Sequence, residues 1–547
     1  MRYQPQNPLI VQSDHTMLLE TMGPHFKEVR DNLVRFAELV KSPEYVHTYR
    51  VSPLSLWNAA AAGVTIEAVL ETLNAWSKYD VPPNVPVHIR ETMGRYGRLK
   101  LLADDASGGL RLVASDPILM REIVNQKQVQ PFLGARIDDN AVSVRTADRG
   151  EIKHALLSVG HPVEDLAGYV DGEALELALA EDFAFRDYQT SAVEAFQHSG
   201  SGVIVLPCGA GKTIVGIGAL ESLQTRCLIL CTNVTALRQW RQEIVEKTTL
   251  TEDDVAEYSG NSKTIGQVTL STYQMLTWRR SKDAEFEHFG LFQRANWGLI
   301  IYDEVHLLPA PVFRAVAHLQ ARRRLGLTAT LVREDGKQGE VFALIGPKRF
   351  DIPWKDLEHQ GWIASASCQE IRIPFADDER LRYAVADDRE KFKLASLNQR
   401  KGEVVTELLE KHKAEKVLIL GMYLSQLEHL ADHHKVPLIT GKTPQRVRDI
   451  LFADFREGRS RVMVVSKVGN FSVDLPDAAV AIQVSGTWGS RQEEAQRLGR
   501  ILRPKKGANE AFFYTLVTRD SREQDFAEKR QLFLTEQGYA YTIEPRA

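Results

Sequence analysis

Residues 206–213, with the sequence LPCGAGKT, have the composition of a phosphate-binding loop, and they directly follow the apolar run GVIV. The glycines let the backbone wrap around an anion, and a helix starting after the loop would direct free N–H groups toward it. Lys212 would contact the terminal phosphates, and the Thr213 hydroxyl would hold Mg²⁺. Leu206 replaces the first glycine of the usual G-x-x-x-x-G-K-[ST] loop, but it lies at the predicted strand end, away from the tight turn. The segment predicts a nucleotide site.

A pair of acidic residues ends the apolar part of LIIYDEVH, residues 299–306. The apolar residues predict a buried strand, so Asp303 and Glu304 would stand at its carboxyl end. In a nucleotide site the first carboxylate can hold Mg²⁺ while the second polarises the attacking water. Together with the glycine-rich loop, this pair predicts metal-assisted hydrolysis of a nucleotide.

The loop and the acidic pair can form one site only if the ends of several strands lie close together, as they do in a parallel sheet. The chain has the sequence pattern of two such sheets. After residue 184, helical stretches alternate with the apolar runs GVIVLP, CLILCT, QVTLSTY, WGLIIYDE and RRLGLTAT. A second set, from about residue 416 to 518, consists of KVLILGMY, VPLITGK, RVMVVSK, AAVAIQVS and AFFYTLVT. Such runs are typical of parallel strands covered by helices on both faces. We therefore predict an α/β fold with two tandem parallel-sheet domains.

The residues before 184 lack this alternation of apolar strands and helices. Between residues 27 and 126 the apolar periodicity is helical, and the proline-rich PPNVPVHIRE interrupts it. In KEVRDNLVRFAELVKS the predicted apolar face consists of Val29, Leu33, Phe36 and Val40. Residues 130–179 predict short strands and a helix. The predicted domains are a helical module at 1–126, a small α+β domain at 127–180, and α/β domains at 181–362 and 363–547, the last with a charged helical insertion at about 377–400.

Composition narrows the class of protein. The chain has 547 residues, and no apolar run reaches the roughly 18 residues of a membrane helix. The N-terminus lacks the pattern of a secretion signal, so we expect a cytoplasmic protein with no membrane partner. The net charge of −4 argues against a wholly basic nucleic-acid coat. Neither zinc nor an iron–sulfur cluster is expected, because no nearby ligands complete a site around the four cysteines, Cys208, Cys227, Cys231 and Cys368.

The order of GAGKT, DEVH and LTATLVRED resembles that in superfamily 2 helicases, whose phosphate loop often lacks the first glycine. The resemblance implies two RecA-like domains and an ATP site with Mg²⁺. In such a site Thr213 and Asp303 would hold the metal, and Glu304 would act on the water. The implied ATP contacts are Arg186, Gln189 (which would read the adenine), Gly209, Ala210, Gly211, Lys212 and Thr213.

A second lobe has a chemical purpose in such an enzyme. The phosphoryl transition state gains charge that one loop cannot fully stabilise, and an arginine from a facing domain can supply the remainder. The segment QEEAQRLGRILRP, residues 492–504, resembles motif VI of these helicases. The match implies that Arg500 and Arg503 reach the γ-phosphate and that Gln496 contributes to the ATP site. ATP would close the cleft between the lobes, and hydrolysis would reopen it.

Three further motifs imply contacts with nucleic acid. Ser271 and Thr272 lie in STYQ, which resembles a strand-contacting motif. Thr328 and Thr330 lie in TAT, which resembles motif III and would couple the nucleotide site to the nucleic-acid groove. Ser466 begins a segment similar to motif V. We expect contacts mainly to phosphate and sugar, independent of sequence and sensitive to salt.

The triplet Arg333, Glu334 and Asp335 directly after TATLV resembles the RED motif of the XPB family. The insertion at 377–400 occupies the place of that family's thumb, the α+β segment that of its damage-recognition domain, and residues 1–126 resemble the extra domain of longer, bacterial-type members. The resemblance implies an ATP-dependent 3′–5′ DNA helicase or translocase of nucleotide excision repair, in which the RED residues help to open duplex DNA. Its implied partners are single-stranded DNA, duplex junctions, and a nuclease or larger repair complex.

The motifs leave alternatives open. The protein could move along duplex DNA to remodel protein–DNA complexes, or serve a restriction system, without separating strands. It could instead be a damaged-DNA binding module in which ATP is only a conformational switch. An RNA substrate also stays open, because phosphate contacts hardly distinguish the two nucleic acids.

Overall fold

The computed structural model divides into two compact units. The first ends at Asp351 and the second begins at Ile352, with the short segments 41–43 and 207–210 grouping with the second. Among the described helices, no single one is long and apolar enough to cross a membrane, and one bent pair passes by length and composition alone. The described residues are 3–41, 45–104, 108–207, 209–260, 262–281, 287–308, 312, 322–329, 338–352, 354–362, 364–466, 478–486, 510–536 and 541–546.

The first unit begins with a small domain in which four helices accompany a four-stranded sheet. The strand order is β1-β2-β4-β3, and β2 is antiparallel to both β1 and β4. Met17, Leu19 and Tyr49 of this sheet are completely buried, as are Val69 and Leu73 on the helix predicted there. The elements are β1 (Leu9–Val11), β2 (Thr16–Glu20), α1 (Phe26–Leu33), β3 (Glu38–Lys41), β4 (Val46–Arg50), α2 (Pro53–Ala61), α3 (Ile66–Trp76) and α4 (Asn84–Met93).

This domain differs from the predicted helical module. Helix α1 ends at Leu33 and residues 38–41 form a strand, so Phe36 and Val40 do not continue its apolar face. Phe36 is nevertheless buried, which is why the apolar spacing resembled a longer helix. The segment PPNVPVHIRE does not interrupt a helix but forms α4. Its prolines lie before or within the first turn, where backbone N–H groups have no helical partner to lose.

The next domain has a five-stranded sheet in the order β7-β8-β6-β5-β9. Its strands β5 and β6 pair from Leu99 onward, so this α+β domain starts well before the predicted boundary at residue 127. Buried and exposed residues alternate in both strands, as a sheet with one face on a core requires. Asp116 caps the helix that follows, because its carboxylate accepts from the Ile118 and Leu119 backbone N–H groups. The elements are β5 (Leu99–Asp104), β6 (Gly109–Ala114), α5 (Pro117–Val124), β7 (Leu133–Arg136), β8 (Ala141–Val144), α6 (Arg149–Ser158) and β9 (Val163–Asp165).

The rest of the first unit is built on a seven-stranded parallel sheet in the order β12-β13-β11-β14-β15-β10-β16. All five predicted strands are confirmed, whereas the edge strands β12 and β16 are not predicted by the apolar pattern. Cys227 and Cys231 are completely buried in the strand predicted at CLILCT. The elements are α7 (Asp187–Ser199), β10 (Ser201–Val205), α8 (Lys212–Leu223), β11 (Cys227–Cys231), α9 (Val234–Lys247), β12 (Val255–Tyr258), β13 (Val268–Thr272), α10 (Tyr273–Leu276), β14 (Leu299–Asp303), β15 (Arg323–Thr328), α11 (Gln338–Leu344) and β16 (Lys348–Asp351).

The strand order of this sheet positions the candidate site. Strands β14, β15 and β10 are neighbours and run in the same direction, so their carboxyl ends meet at one edge. Asp303 ends β14, Thr328 ends β15, and the glycine-rich loop follows β10. Ligands of open parallel sheets bind at this edge.

The second unit repeats the architecture with a seven-stranded parallel sheet in the order β19-β20-β18-β21-β22-β17-β23. The five predicted strands are confirmed, and β17 and β23 are additional. The charged stretch at 377–400 is helical as predicted, and α13 has no buried residue. The elements are α12 (Trp354–His359), β17 (Ser365–Ile373), α13 (Asp377–Val385), α14 (Asp388–Ser396), α15 (Arg400–Lys411), β18 (Val417–Gly421), α16 (Leu424–His434), β19 (Leu438–Ile439), α17 (Gln445–Arg456), β20 (Val462–Ser466), β21 (Val480–Gln483), β22 (Glu510–Thr518), α18 (Arg522–Glu536) and β23 (Tyr541–Pro545).

A buried ion pair joins two helices of the second unit. The Lys401 ammonium on α15 lies 2.8 Å from both carboxylate oxygens of Glu523 on α18 and also donates to the Val484 carbonyl. Both side chains are at most 1% exposed. Neither charge can be hydrated, so each depends on the other.

Replacing one partner of this pair should destabilise the second unit. In Lys401→Met the Glu523 carboxylate is left buried without a counter-charge, so we expect a loss of about 3–5 kcal/mol in the free energy of unfolding, measured by denaturant titration. The double variant K401M/E523M should recover most of that loss. Equal stability of the single and double variants would contradict the role of the pair.

Candidate nucleotide-binding site

The glycine-rich loop has the backbone conformation that its sequence predicts. Gly209 and Gly211 both have left-handed φ angles, +82° and +79°, which side chains with a Cβ rarely adopt. Gly211 is the N-cap of α8, so the N–H groups of the first helical turn have no partner within the helix. A Cβ on Gly211 would lie 2.6 Å from the Gln189 Nε2 atom. Position 211 therefore requires glycine both for its left-handed φ and for the space beside Gln189. The N–H groups of the loop and helix can donate hydrogen bonds to an anion.

Arg186 and Gln189 are brought to the same place by α7. Gln189 is buried and its Oε1 accepts a hydrogen bond from the Arg186 backbone N–H at 3.0 Å. The Arg186 guanidinium donates to the Tyr188 hydroxyl at 3.2 Å. The structure thus places the predicted adenine-contacting glutamine directly against the phosphate loop.

Lys212 and Glu304 face each other across the sheet edge. The Lys212 ammonium lies 3.3 Å from a Glu304 carboxylate oxygen, and the two side chains are 12% and 16% exposed. Glu304 has a φ of +49°, a left-handed conformation that is uncommon for a residue with a side chain. Strained backbone of this kind is maintained where the surrounding structure fixes it, commonly at functional sites.

Asp303 and Glu304 have opposite pKa shifts. Burial, and then the neighbouring Glu304 charge, raise the pKa of Asp303 to about 6. Burial also opposes the charged form of Glu304, but the Lys212 and His306 charges outweigh it and lower the pKa of that carboxyl. With Lys212 and His306 beside it, Glu304 is therefore ionised well below neutral pH, whereas Asp303 loses its proton only as the pH rises through about 6.

His306 connects the acidic pair to the next strand. Its Nδ1 atom lies 2.6 Å from the Thr328 hydroxyl and 3.4 Å from a Glu304 carboxylate oxygen. Thr328 is completely buried at the end of β15. The structure thus brings the predicted coupling residue Thr328 into contact with the nucleotide site through His306.

Two residues that the sequence does not single out hold Asp303 in place. The Trp240 indole N–H donates to the Asp303 carboxylate at 3.2 Å, and the Tyr273 hydroxyl donates to the Asp303 backbone carbonyl at 2.8 Å. Trp240 packs so closely on α8 that a Cβ on Gly216 would lie 2.4 Å from the indole. Trp240 has helical spacing from Leu237 and Ile244, so its sequence signal is only that of a core residue.

The residues present fit Mg²⁺ and a nucleotide phosphate. Mg²⁺ uses one or two carboxylates together with hydroxyl, water and phosphate oxygens. Asp303 is a carboxylate with excess negative charge around it, and the half-buried Thr213 carries a hydroxyl in the first turn of α8. The loop donors and Lys212 supply the contacts that a phosphate needs.

The predicted nucleic-acid contacts at Ser271 and Thr272 are not available in the structure. Ser271 is completely buried in β13 and its hydroxyl donates to the Tyr258 carbonyl at 2.8 Å. Thr272 is 6% exposed and its hydroxyl caps α10 by accepting from the Met275 N–H. Both hydroxyls serve the fold, so neither is available to DNA in this structure.

The remaining predicted site residues divide into two groups. Ser466 ends β20 and is 3% exposed, with no hydrogen-bond partner for its hydroxyl among the described residues. The predicted site residues that lie outside the described part of the chain are Thr330, Arg333, Glu334, Asp335, Gln496, Arg500 and Arg503, and Cys208 also lies outside it.

The fold and the site together define a class. A phosphate loop and an acidic pair meet at the edge of one parallel sheet, and a second parallel α/β unit follows, which is the RecA-like architecture of superfamily 2 helicases. Family models match three parts of the chain. They are described as ERCC3/RAD25/XPB C-terminal helicase (residues 357–547), type III restriction enzyme, res subunit (182–333) and helicase conserved C-terminal domain (9–138).

Similar proteins narrow the class to a family. The chain is 54% identical to proteins named "DNA 3'-5' helicase XPB" from Kineococcus radiotolerans and Mycobacterium tuberculosis. Each alignment covers 98% of this chain and 96% or 97% of the other protein. It is 31% identical to the Saccharomyces cerevisiae "General transcription and DNA repair factor IIH helicase/translocase subunit XPB/SSL2", over 97% of this chain and 71% of that protein. The chain belongs to the XPB family.

The raised pKa of Asp303 predicts a stability that depends on pH. A carboxyl whose folded pKa is about 6, against an ordinary 3.8, disfavours the folded state increasingly as pH rises through this interval. Without metal and nucleotide, Asp303→Asn should therefore raise the unfolding temperature of the first unit, by about 2–4 °C at pH 8 and by less at pH 5. Calorimetry at both pH values measures this, and a gain that is larger at pH 5 would contradict it.

Proposed function

We propose that this member of the XPB family couples ATP hydrolysis to 3′–5′ movement along DNA and to opening of the duplex in nucleotide excision repair. The observation that carries the proposal is the Lys212 ammonium 3.3 Å from Glu304, beside Asp303, at one edge of a parallel sheet. The direction of movement and the DNA substrate rest on the names of the bacterial relatives, and the repair role rests on the name of the yeast relative.

The roles of the residues follow from their charges. Lys212 and the N–H groups of the loop bind the phosphates, and Gln189 contacts the adenine. Thr213 and Asp303 hold Mg²⁺, which when bound supplies the positive charge that activates the terminal phosphate. Glu304 stays ionised and accepts a proton from the attacking water.

Residues beyond the described part of the chain complete the proposal. By their resemblance to motif VI, Arg500 and Arg503 would supply positive charge to the transition state. The RED residues at 333–335 help to separate the strands. A cytoplasmic location and a nuclease or repair-complex partner belong to the same proposal.

The alternatives are less well supported. A conformational switch needs nucleotide binding only, for which Asp303 with Mg²⁺ suffices. Glu304 is a second carboxylate in a largely buried position beside it, at a cost in stability, and hydrolysis requires such a group whereas binding does not. The restriction and remodelling alternatives have no counterpart in the names of the 54% identical relatives. Competition between single-stranded RNA and DNA for stimulation of the ATPase distinguishes the two nucleic acids.

Removing the proposed base should stop hydrolysis while sparing nucleotide binding. In Glu304→Gln we expect the DNA-stimulated ATPase to fall by about 100-fold or more, since a positioned general base contributes about that factor. Lys212→Ala should lose both hydrolysis and tight ATP binding. The matched control is Glu252→Gln, which makes the same substitution at a glutamate whose side chain is 76% exposed.

Unwinding is measured in parallel on duplexes with a 3′ or a 5′ single-stranded tail. Wild type should displace the strand only from the 3′-tailed duplex, and neither E304Q nor K212A should displace it. ATP turnover without displacement from either duplex would favour the translocase alternative. Unwinding by E304Q at the wild-type rate would overturn the hydrolytic mechanism.

A further inference from the structure

Side chains exposed to solvent appear shortly after the buried Ser271 and Thr272. The short helix α10 follows β13, and beyond it Trp278, Arg279 and Arg280 are all exposed. Trp278 is 46% exposed, whereas Trp57, Trp240 and Trp297 are at most 5% exposed. A half-exposed indole offers a large flat apolar surface to a ligand.

The Trp278 ring lies beside a buried histidine, which in turn contacts a buried tyrosine. Its centroid is 6.0 Å from that of His288, which is 6% exposed. His288 Nδ1 lies 3.1 Å from the Tyr258 hydroxyl, which also accepts from Arg294 at 3.1 Å. The Trp278 backbone N–H bonds to the Met275 carbonyl. We call Trp278, His288 and Tyr258 the aromatic platform. Because the base of the platform is buried, the exposed Trp278 ring has less conformational freedom to lose when it binds a ligand.

The surroundings of the platform carry positive charge. Lys263, Arg279, Arg280 and Arg294 are all exposed, and the Arg280 side chain, 78% exposed, pairs with Glu287. Burial, together with the charges of Lys263 and Arg294, lowers the pKa of His288, so its ring is the neutral form near pH 7. An aromatic surface bordered by arginine and lysine is the combination that binds single-stranded nucleic acid, where bases stack and phosphates pair with cations.

The platform also lies at the functional edge of the sheet. Helix α10 begins at the carboxyl end of β13, and Tyr273 in this helix bonds to the backbone of Asp303. Strand β13 is two places from β14 in the parallel sheet. The platform and the acidic pair therefore project from the same edge.

We propose that Trp278 stacks on a base of single-stranded DNA and that Arg279 and Arg280 contact the adjoining phosphates. This inference rests on the proposed function, because it assigns part of the DNA site of the same enzyme. It replaces the contacts predicted at Ser271 and Thr272 with residues that solvent can reach.

The test separates stacking from charge. Fluorescence anisotropy, without nucleotide, compares a labelled oligothymidylate with an abasic strand of equal length, which keeps the phosphates but has no bases. Wild type should bind the oligothymidylate more tightly than the abasic strand, by about 10-fold for one stacked base. Trp278→Ala should lose this preference, and Trp278→Phe should keep most of it.

Two further variants complete the comparison. Trp362→Ala removes another exposed tryptophan, 37% exposed and in the second unit, and should match wild type. R279Q/R280Q should keep the preference for bases. The slope of log affinity against log salt should become shallower, by roughly 0.7 for each phosphate that an arginine no longer neutralises. Thermal unfolding checks that each variant folds; if W278A does not, Trp278→Leu fills the same place without an aromatic face.

Each outcome has a distinct meaning. A W278A protein that still prefers bases as wild type does would overturn the inference, and so would an equal loss of affinity for both probes. If wild type binds neither probe and DNA does not stimulate its ATPase, the proposed function itself fails. If wild type binds DNA and unwinds it while W278A is unchanged, only the assignment of Trp278 fails.

Discussion

The nucleotide site is organised by the need to keep two adjacent carboxylates charged where water cannot fully hydrate them. Among the described residues, the Lys212 ammonium lies 3.3 Å from Glu304, and its charge lowers the pKa of both carboxyls. Asp303 receives a hydrogen bond from Trp240, and its pKa stays raised to about 6. The Lys212 charge does not fully offset burial and the Glu304 charge at Asp303, and this excess negative charge favours a divalent cation there. The arrangement makes the protein alone less stable than it could be, and nucleotide with metal more favourable to bind.

The parallel sheet brings these charged side chains together at one edge. The lysine follows β10, the carboxylates end β14, and Thr328 ends β15, three neighbouring strands whose carboxyl ends share an edge. His306 then joins Glu304 to Thr328 through contacts of 3.4 and 2.6 Å. These contacts connect Glu304 to the end of β15, in the motif that the helicase resemblance expects to couple ATP to nucleic acid.

The sequence predicts the central strands and the catalytic side chains because both depend on local pattern. Continuous apolar runs identify buried parallel strands, and the loop with Lys212 is recognisable from its glycines. The N-terminal domain is less predictable, since Phe36 is buried just beyond a helix and its spacing imitates another helical turn. Trp240 is unpredictable for a different reason. Its partner Asp303 is on another element, and only the folded chain brings the indole N–H to the carboxylate.

Ser271 shows why the order of motifs does not by itself give the role of each residue. All five residues of β13 are buried, so a hydroxyl within the strand must find its partner inside the protein, and Ser271 bonds to the Tyr258 carbonyl. Nucleic acid can reach only the residues beyond the strand end. Tyr258, which accepts from Arg294 and contacts His288, also supports the exposed Trp278. The polar residue of the motif thus helps to fix the strand beneath a contact surface formed by residues farther along the chain.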